Sequence, residues 1–244
     1  DCSKPLVFID PGHGGLNIGA IAASGLREKD ITLDISLRLK NLLQSQGEWR
    51  TKISREDDQF VGLRTRTRLA NSAGAQVFLS IHANANPKSD PRGIEVYLLS
   101  ANAASTEGME IVLREEGPQH HQENQHAGLG SVLHGLRLAG AQRASATLAQ
   151  VVLNALTQST TAPDRGVRQA SFAVLKEAVM PALVVEVGYL TNPKEAKLLA
   201  KGSYRQQIAE GLFAALDEWK KANHATCQRK ARQSTKQISD LRNP

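Results

Sequence analysis

Four apolar runs set what this chain can become: LVFI at 6–9, QVFLSIHA at 76–83, GIEVYLLS at 93–100 and PALVVEVGYL at 181–190. They are nearly continuous rather than alternating, rich in Val, Ile and Leu, and bounded by Gly, Pro or polar residues. That is the signature of strands buried on both faces. WRTKIS at 49–54 reads as a shorter strand. Between the strands the period changes to that of a helix. Ile31, Ile35, Leu39, Leu42 and Leu43 recur at helical spacing and stop at Gly47. GLRTRTRLANSAG, AQRASATLAQVVLNALTQS and two segments near 193–200 and 204–220 follow suit. Strands alternating with helices predict an α/β fold, a mostly parallel twisted central sheet flanked by helices.

The alternation spans residues 5–219, the expected main domain. It is interrupted at 105–140 by a segment rich in Glu, Gln, Gly and His, which reads as an insertion with one short helix, Thr106–Glu116. Long insertions in compact domains are usually lids or unstructured loops. His120, His121, His126 and His134 fall there and read as loose surface residues rather than a second metal site. Residues 220–244 form a basic tail with seven Lys or Arg against one acid, Asp240, so the remaining 219 residues carry 23 charges of each sign. A body without net charge gives no field for nucleic acid. The tail reads as a solvated terminus, or as an arm for an anionic polymer or membrane surface. No apolar run approaches the ~20 residues of a membrane span. The first residues show no leader, which a trimmed envelope protein would share. Cys2 and Cys227 stand near opposite ends, open either to a disulfide in an oxidising compartment or to two free thiols; no CxxC offers a thiolate zinc site.

Three polar residues sit where an apolar strand ends or runs: His13 in DPGHGG, His82 in FLSIHANA and Glu186 in ALVVEVGYL. In open α/β sheets, sites form at the carboxyl ends of strands. A charge inside an apolar run is costly unless something pairs with it. Glu28, just before the first helix, completes a candidate set. Two His and one carboxylate are a common catalytic zinc shell that leaves a fourth position for water, and a further carboxylate can carry the proton. Each residue also has a plainer reading: a structural His in a Gly turn, a Glu beside a helix N-terminus, a salt-bridged core acid. Asp10 could accept a hydrogen bond from a ligand imidazole or cap the following turn. Asn84 could face a substrate, and Arg66 reads as a salt-bridge partner within the fold.

Taken together, VFIDPGHGGLNIGA, GLREKDITLDIS, LRTRTRLANSAGAQVFLSIHANA and MPALVVEVGYLTNPKEAKLL resemble, in order, the zinc-dependent N-acetylmuramoyl-L-alanine amidases of the type 3 family. The resemblance runs from Pro5 to Trp219. It implies one Zn2+ held by His13, Glu28 and His82, with Glu186 as catalytic glutamate. It implies cleavage of the amide between N-acetylmuramic acid and L-alanine in peptidoglycan. Another zinc peptidase or deacylase on the same scaffold is the alternative. Where the family has Thr or Ser beside this glutamate, Val187 stands here; it is expected to pack inward, with groove contacts near Tyr189 and Asn192 altered. The insertion resembles that of the periplasmic cell-division branch, in which a helix covers the groove, an acid from it occupies the zinc, and a LytM-type activator displaces it. That implies Glu116 as the blocking acid, with Glu115 second, in a periplasmic enzyme for septal wall splitting that acts as a monomer.

Overall fold

The computed structural model describes residues 4–100, 106–117 and 132–240, and side chains for these apart from 107, 132–136 and 224–240. The expectations for Cys2, Cys227 and the four insertion histidines concern groups outside the described ones.

Six strands form one sheet: β1 (Leu6–Pro11), β2 (Arg50–Ile53), β3 (Val77–Asn84), β4 (Ile94–Leu99), β5 (Asp164–Ala170) and β6 (Ala182–Tyr189). The order is β2-β1-β3-β6-β4-β5. All neighbours are parallel except β4 and β6, which run antiparallel. The predicted α/β sheet is therefore present. The helices are α1 (Glu28–Gln46), α2 (Leu63–Ser72), α3 (Thr106–Glu116), α4 (Val132–Thr160), α5 (Pro193–Leu199) and α6 (Gly202–Asp240).

Strand side chains alternate between two apolar layers. Val7 and Ile9 of β1 join Ile31, Ile35 and Leu39 of α1, Val152 of α4 and Leu212 of α6 on one face. Leu6 and Phe8 point the other way, into a smaller layer with Phe78, Phe172 and two α3 residues, Ile111 and Val112. Fully burying one such side chain is worth about 1.5–3 kcal/mol, so the larger layer dominates the stability of the frame. Val187 is fully buried in that layer, as its apolar character requires.

Three features differ from the sequence expectation. β5 (DRGVRQA) is polar and lies at the sheet edge, where only one side needs a partner and charge protects against unwanted pairing. The long helix begins at Val132, so the insertion contains the first turns of α4. α6 runs on through the basic tail to Asp240. Among the described residues no helix is long and apolar enough to cross a membrane.

The chain leaves β1 for β2 on one side and returns to β3 on the other. This reversal opens a crevice at the carboxyl ends of β1 and β3, where a doubly wound sheet places its ligands.

Candidate metal centre

His13 enters the crevice from the turn after β1. Its backbone is left-handed, with φ at 60°, a conformation uncommon for a residue with a side chain. Its Nδ1 donates to Asn17 Oδ1 at 2.9 Å, which turns Nε2 inward toward the carboxylates of Glu28 and Glu115. His82 arrives on β3. Gly12 lies against it so closely that a Cβ there would stand 2.5–2.7 Å from the imidazole ring. Gly19, at φ +72°, plays the same part beside Glu28 Oε2 and His13 Cδ2. Two glycines thus clear the space into which the imidazoles and carboxylate converge.

Glu28 opens α1 and is fully buried. Its Oε2 accepts from the Ala20 N–H at 2.8 Å, and its Oε1 accepts from the Ala83 N–H at 2.9 Å. That second bond ties α1 to β3. Oε1 also lies 3.0 Å from His13 Nε2 and 3.2 Å from His82 Nδ1.

The fourth group is Glu115 on α3. Its Oε2 lies 3.2 Å from His13 Nε2 and 3.3 Å from His82 Nδ1. The donor atoms of His13, Glu28, His82 and Glu115 all fall within 4.8 Å of one another. Four ligands at zinc bond lengths of 2.0–2.1 Å define a tetrahedron whose edges are about 3.3 Å. The nitrogen–oxygen separations match such edges, and nitrogen and oxygen donors suit the ion. The residues therefore fit a zinc site. Burial alone would lower the His13 and His82 pKa values, yet the facing carboxylates raise both. Burial would likewise raise Glu28, but the two imidazoles lower it well below the usual carboxylate range.

Glu186 on β6 is fully buried, opposite His82 on one neighbouring strand and Glu95 on the other. Neither of its oxygens has a hydrogen-bond partner among the described residues. Burial first, then the carboxylates of Glu115, Glu28 and Glu95, push its pKa well above the ordinary value. Glu95 itself is well supported: it accepts from Arg165 Nε at 2.7 Å, Tyr97 Oη at 2.8 Å and Asn84 Nδ2 at 3.1 Å. Asn84 is buried, and its Oδ1 is unpartnered among the described residues.

The structure brings His13, Glu28 and His82 together and sets Glu186 in the neighbouring strand. It exchanges the order of the two acids of α3. Glu116 turns aside to accept from the Ala173 N–H at 2.5 Å, and burial pushes its carboxyl up to about 7. Glu115 takes the place at the cluster. Among the described residues Asp10 makes no imidazole bond: it accepts from Ser54 Oγ (2.5 Å), Ser80 Oγ (2.7 Å) and Arg66 Nη1 (2.8 Å). Arg66 is thus the expected salt-bridge partner. The group that orients His13 is Asn17, whose place four residues on in the same glycine-rich turn was the available signal. A cavity of about 40 Å³ lies beside the imidazoles, walled by Phe60, Val61, Phe172 and Val174 and by both acids of α3.

A parallel-rich sheet with two imidazoles and buried carboxylates at its switch point defines an α/β domain with a centre of the kind that holds one divalent metal in hydrolases. The chain belongs to the N-acetylmuramoyl-L-alanine amidase family, whose model matches residues 7–218. It is 32% identical over 216 residues to the amidase AmiA of Escherichia coli, covering 86% of this chain and 74% of that protein. It is 31% identical over 223 residues to AmiC of Neisseria meningitidis, covering 88% of this chain and 53% of that one. The chain thus spans between half and three quarters of these relatives. Among solved structures, an N-acetylmuramoyl-L-alanine amidase from Clostridium difficile 630 superposes with a TM-score of 0.70 at 30% identity, covering 89% of this chain and 97% of that one. AmiC2 of Nostoc punctiforme gives 0.69 at 31% identity with the same coverage.

Proposed function

We propose that this chain is a zinc-dependent hydrolase of the amide that joins N-acetylmuramic acid to L-alanine in peptidoglycan, held closed by its own helix α3. The carrying observation is the buried donor set of His13, Glu28, His82 and Glu115 beside an unpartnered Glu186. His13, Glu28 and His82 would hold the zinc. The ion supplies Lewis acidity, lowering the pKa of water towards ~7 and polarising the scissile carbonyl.

Glu186 moves the proton. Its carboxylate accepts one from the attacking water and delivers it to the nitrogen of the leaving alanine, so the C–N bond breaks without expelling an amide anion. Burial suits it to this, because a raised pKa lets one group both accept and return a proton near neutrality. Departure of Glu115 removes a negative neighbour that raises that pKa. Asn84 Oδ1 is free to accept from an N–H of the stem peptide once the groove is open.

Glu115 acts as the plug. A catalytic metal site needs an open position, and a carboxylate there leaves none for water or substrate. Among the described residues, α3 is held by the buried Ile111 and Val112, by Arg114 donating to the Ala85 carbonyl, and by Glu116 accepting from the Ala173 N–H. Met109 and Leu113 remain exposed on its outer side. A partner that binds the displaced helix would open the site. We assign that part to a LytM-type activator, and the setting to septal wall splitting in the periplasm by a monomeric enzyme. The likeness to AmiA and AmiC favours this over a zinc peptidase or deacylase on the same frame.

Mass spectrometry of digested sacculi separates these readings. Intact stem peptides with a free L-alanine amine are expected. Opened cross-links on glycan-attached peptides would contradict the amidase reading.

A further inference from the structure

Two arginines outside the donor set are almost wholly buried: Arg55 and Arg66 are each 2% exposed. Both spend their donors on backbone carbonyls of the turn that carries His13. Arg66 Nη1 donates to Pro11 O at 2.6 Å, and Nη2 donates to His13 O at 2.7 Å. Its Nε holds Val61 O at 2.9 Å, and Asp10 anchors the same guanidinium from β1. Arg55 Nε donates to Pro11 O at 3.2 Å. Its Nη2 reaches Gly12 O at 2.8 Å and Lys29 O at 2.9 Å. Three consecutive carbonyls, 11 to 13, therefore point at two cations.

The arrangement has a geometric consequence. His13 has a left-handed backbone, which costs free energy unless the surroundings enforce it. Arg66 grips the carbonyl of that very residue. Arg55 spans from the turn to the first turn of α1, where Lys29 follows Glu28. Thr32 Oγ1 doubles the link by donating to Gly12 O at 2.9 Å. Gly14 completes the fit, since a Cβ there would stand 2.9 Å from Arg55 Cδ and Nε.

We infer that Arg55 and Arg66 are positioning residues that set metal affinity, by fixing the His13 turn in its left-handed form and in register with Glu28. The inference rests on the metal reading above. Neither arginine touches the donor atoms; each acts through the backbone. The role demands a guanidinium, because a planar fork reaches several carbonyls at once whereas an ammonium is a single compact charge. Charge alone is thus insufficient, and Lys should not substitute.

The test compares zinc dissociation constants, by competition with a chromophoric chelator, for the full chain and its Arg55→Lys and Arg66→Lys variants. Cobalt spectra of the same proteins report the ligand field. Leu39→Ala, a core truncation on α1 away from the turn, is the control for general destabilisation. Each Lys variant is expected to bind zinc about 10–100-fold more weakly, the range for groups that orient metal ligands. The control should melt earlier yet keep its zinc affinity within about twofold. Lys variants that bind like the parent, or a control that weakens as much as they do, would overturn the inference. Should Arg66→Lys fail to fold, Arg55→Lys decides. A parent chain that takes up no zinc removes the metal reading itself, a result distinct from equal binding by all variants.

Discussion

Replacing Glu186 with Gln is expected to slow hydrolysis of purified sacculi by about 10²–10⁴-fold, the usual worth of a positioned acid–base group, while zinc content stays unchanged. Gln keeps the size and neutrality of a protonated carboxyl but cannot take a proton from water and return it. The side chain is buried and unpartnered among the described residues, so its substitution removes no observed hydrogen bond. A Gln amide there is as unpartnered as the carboxyl it replaces, and an unsatisfied buried polar group costs roughly 1–3 kcal/mol in either case, so the melting temperature should stay close to that of the parent. That pairing separates a catalytic loss from a folding loss. The comparison belongs in a Glu115→Ala background, where both proteins have an open site, with turnover read by release of labelled fragments. Residual activity within about tenfold of that parent would remove Glu186 from the proton path.

Glu115→Ala alone is expected to raise basal activity by about 10–100-fold, corresponding to about 1.4–2.8 kcal/mol of plug stability at 1.4 kcal/mol per tenfold. Its carboxylate is the part of α3 that meets the imidazoles, at 3.2 and 3.3 Å. Glu116→Ala removes backbone bonds to Ala173 and Val174 but no contact with the imidazoles, and should raise basal activity less than about fivefold, about 1 kcal/mol at 1.4 kcal/mol per tenfold. Equal effects at the two positions would mean that α3 blocks by bulk rather than through one acid. No effect at either would mean that α3 does not gate the reaction.

His82 and Glu186 were legible because each stands in an apolar strand, where a polar side chain must be matched by something; His13 stood out only by its glycine-rich turn, and Glu28, in the polar stretch REKD, breaks no pattern and was reached as the carboxylate that completes the set and by family resemblance. The choice between Glu115 and Glu116 turned on one residue of helix rotation. Gly108, Ile111, Val112 and Glu115 form one buried stripe at i, i+3, i+4 and i+7. Glu116 lies at its margin and finds Ala173 instead. That stripe was present in the sequence, but its two apolar residues are too few to outweigh positional likeness. β5 escaped notice because an edge strand needs no apolar alternation. Arg55 and Asn17 escaped because they act on backbone or on one ring nitrogen, and such contacts have no spacing rule. Asp10 shows the converse. Its place before the histidine turn suggested an imidazole bond or a cap on that turn, but the buried Arg66 claims it with a full charge.

The central claim is that one divalent ion is gripped by His13, Glu28 and His82. Anomalous difference density from crystals of the protein purified without chelator, collected on both sides of the zinc edge, tests it most directly. A single peak bonded to the two imidazoles and to Glu28, with the Glu115 carboxylate on the fourth side, is expected. Water between these four side chains, with no anomalous signal and with the activity towards sacculi intact, would contradict it.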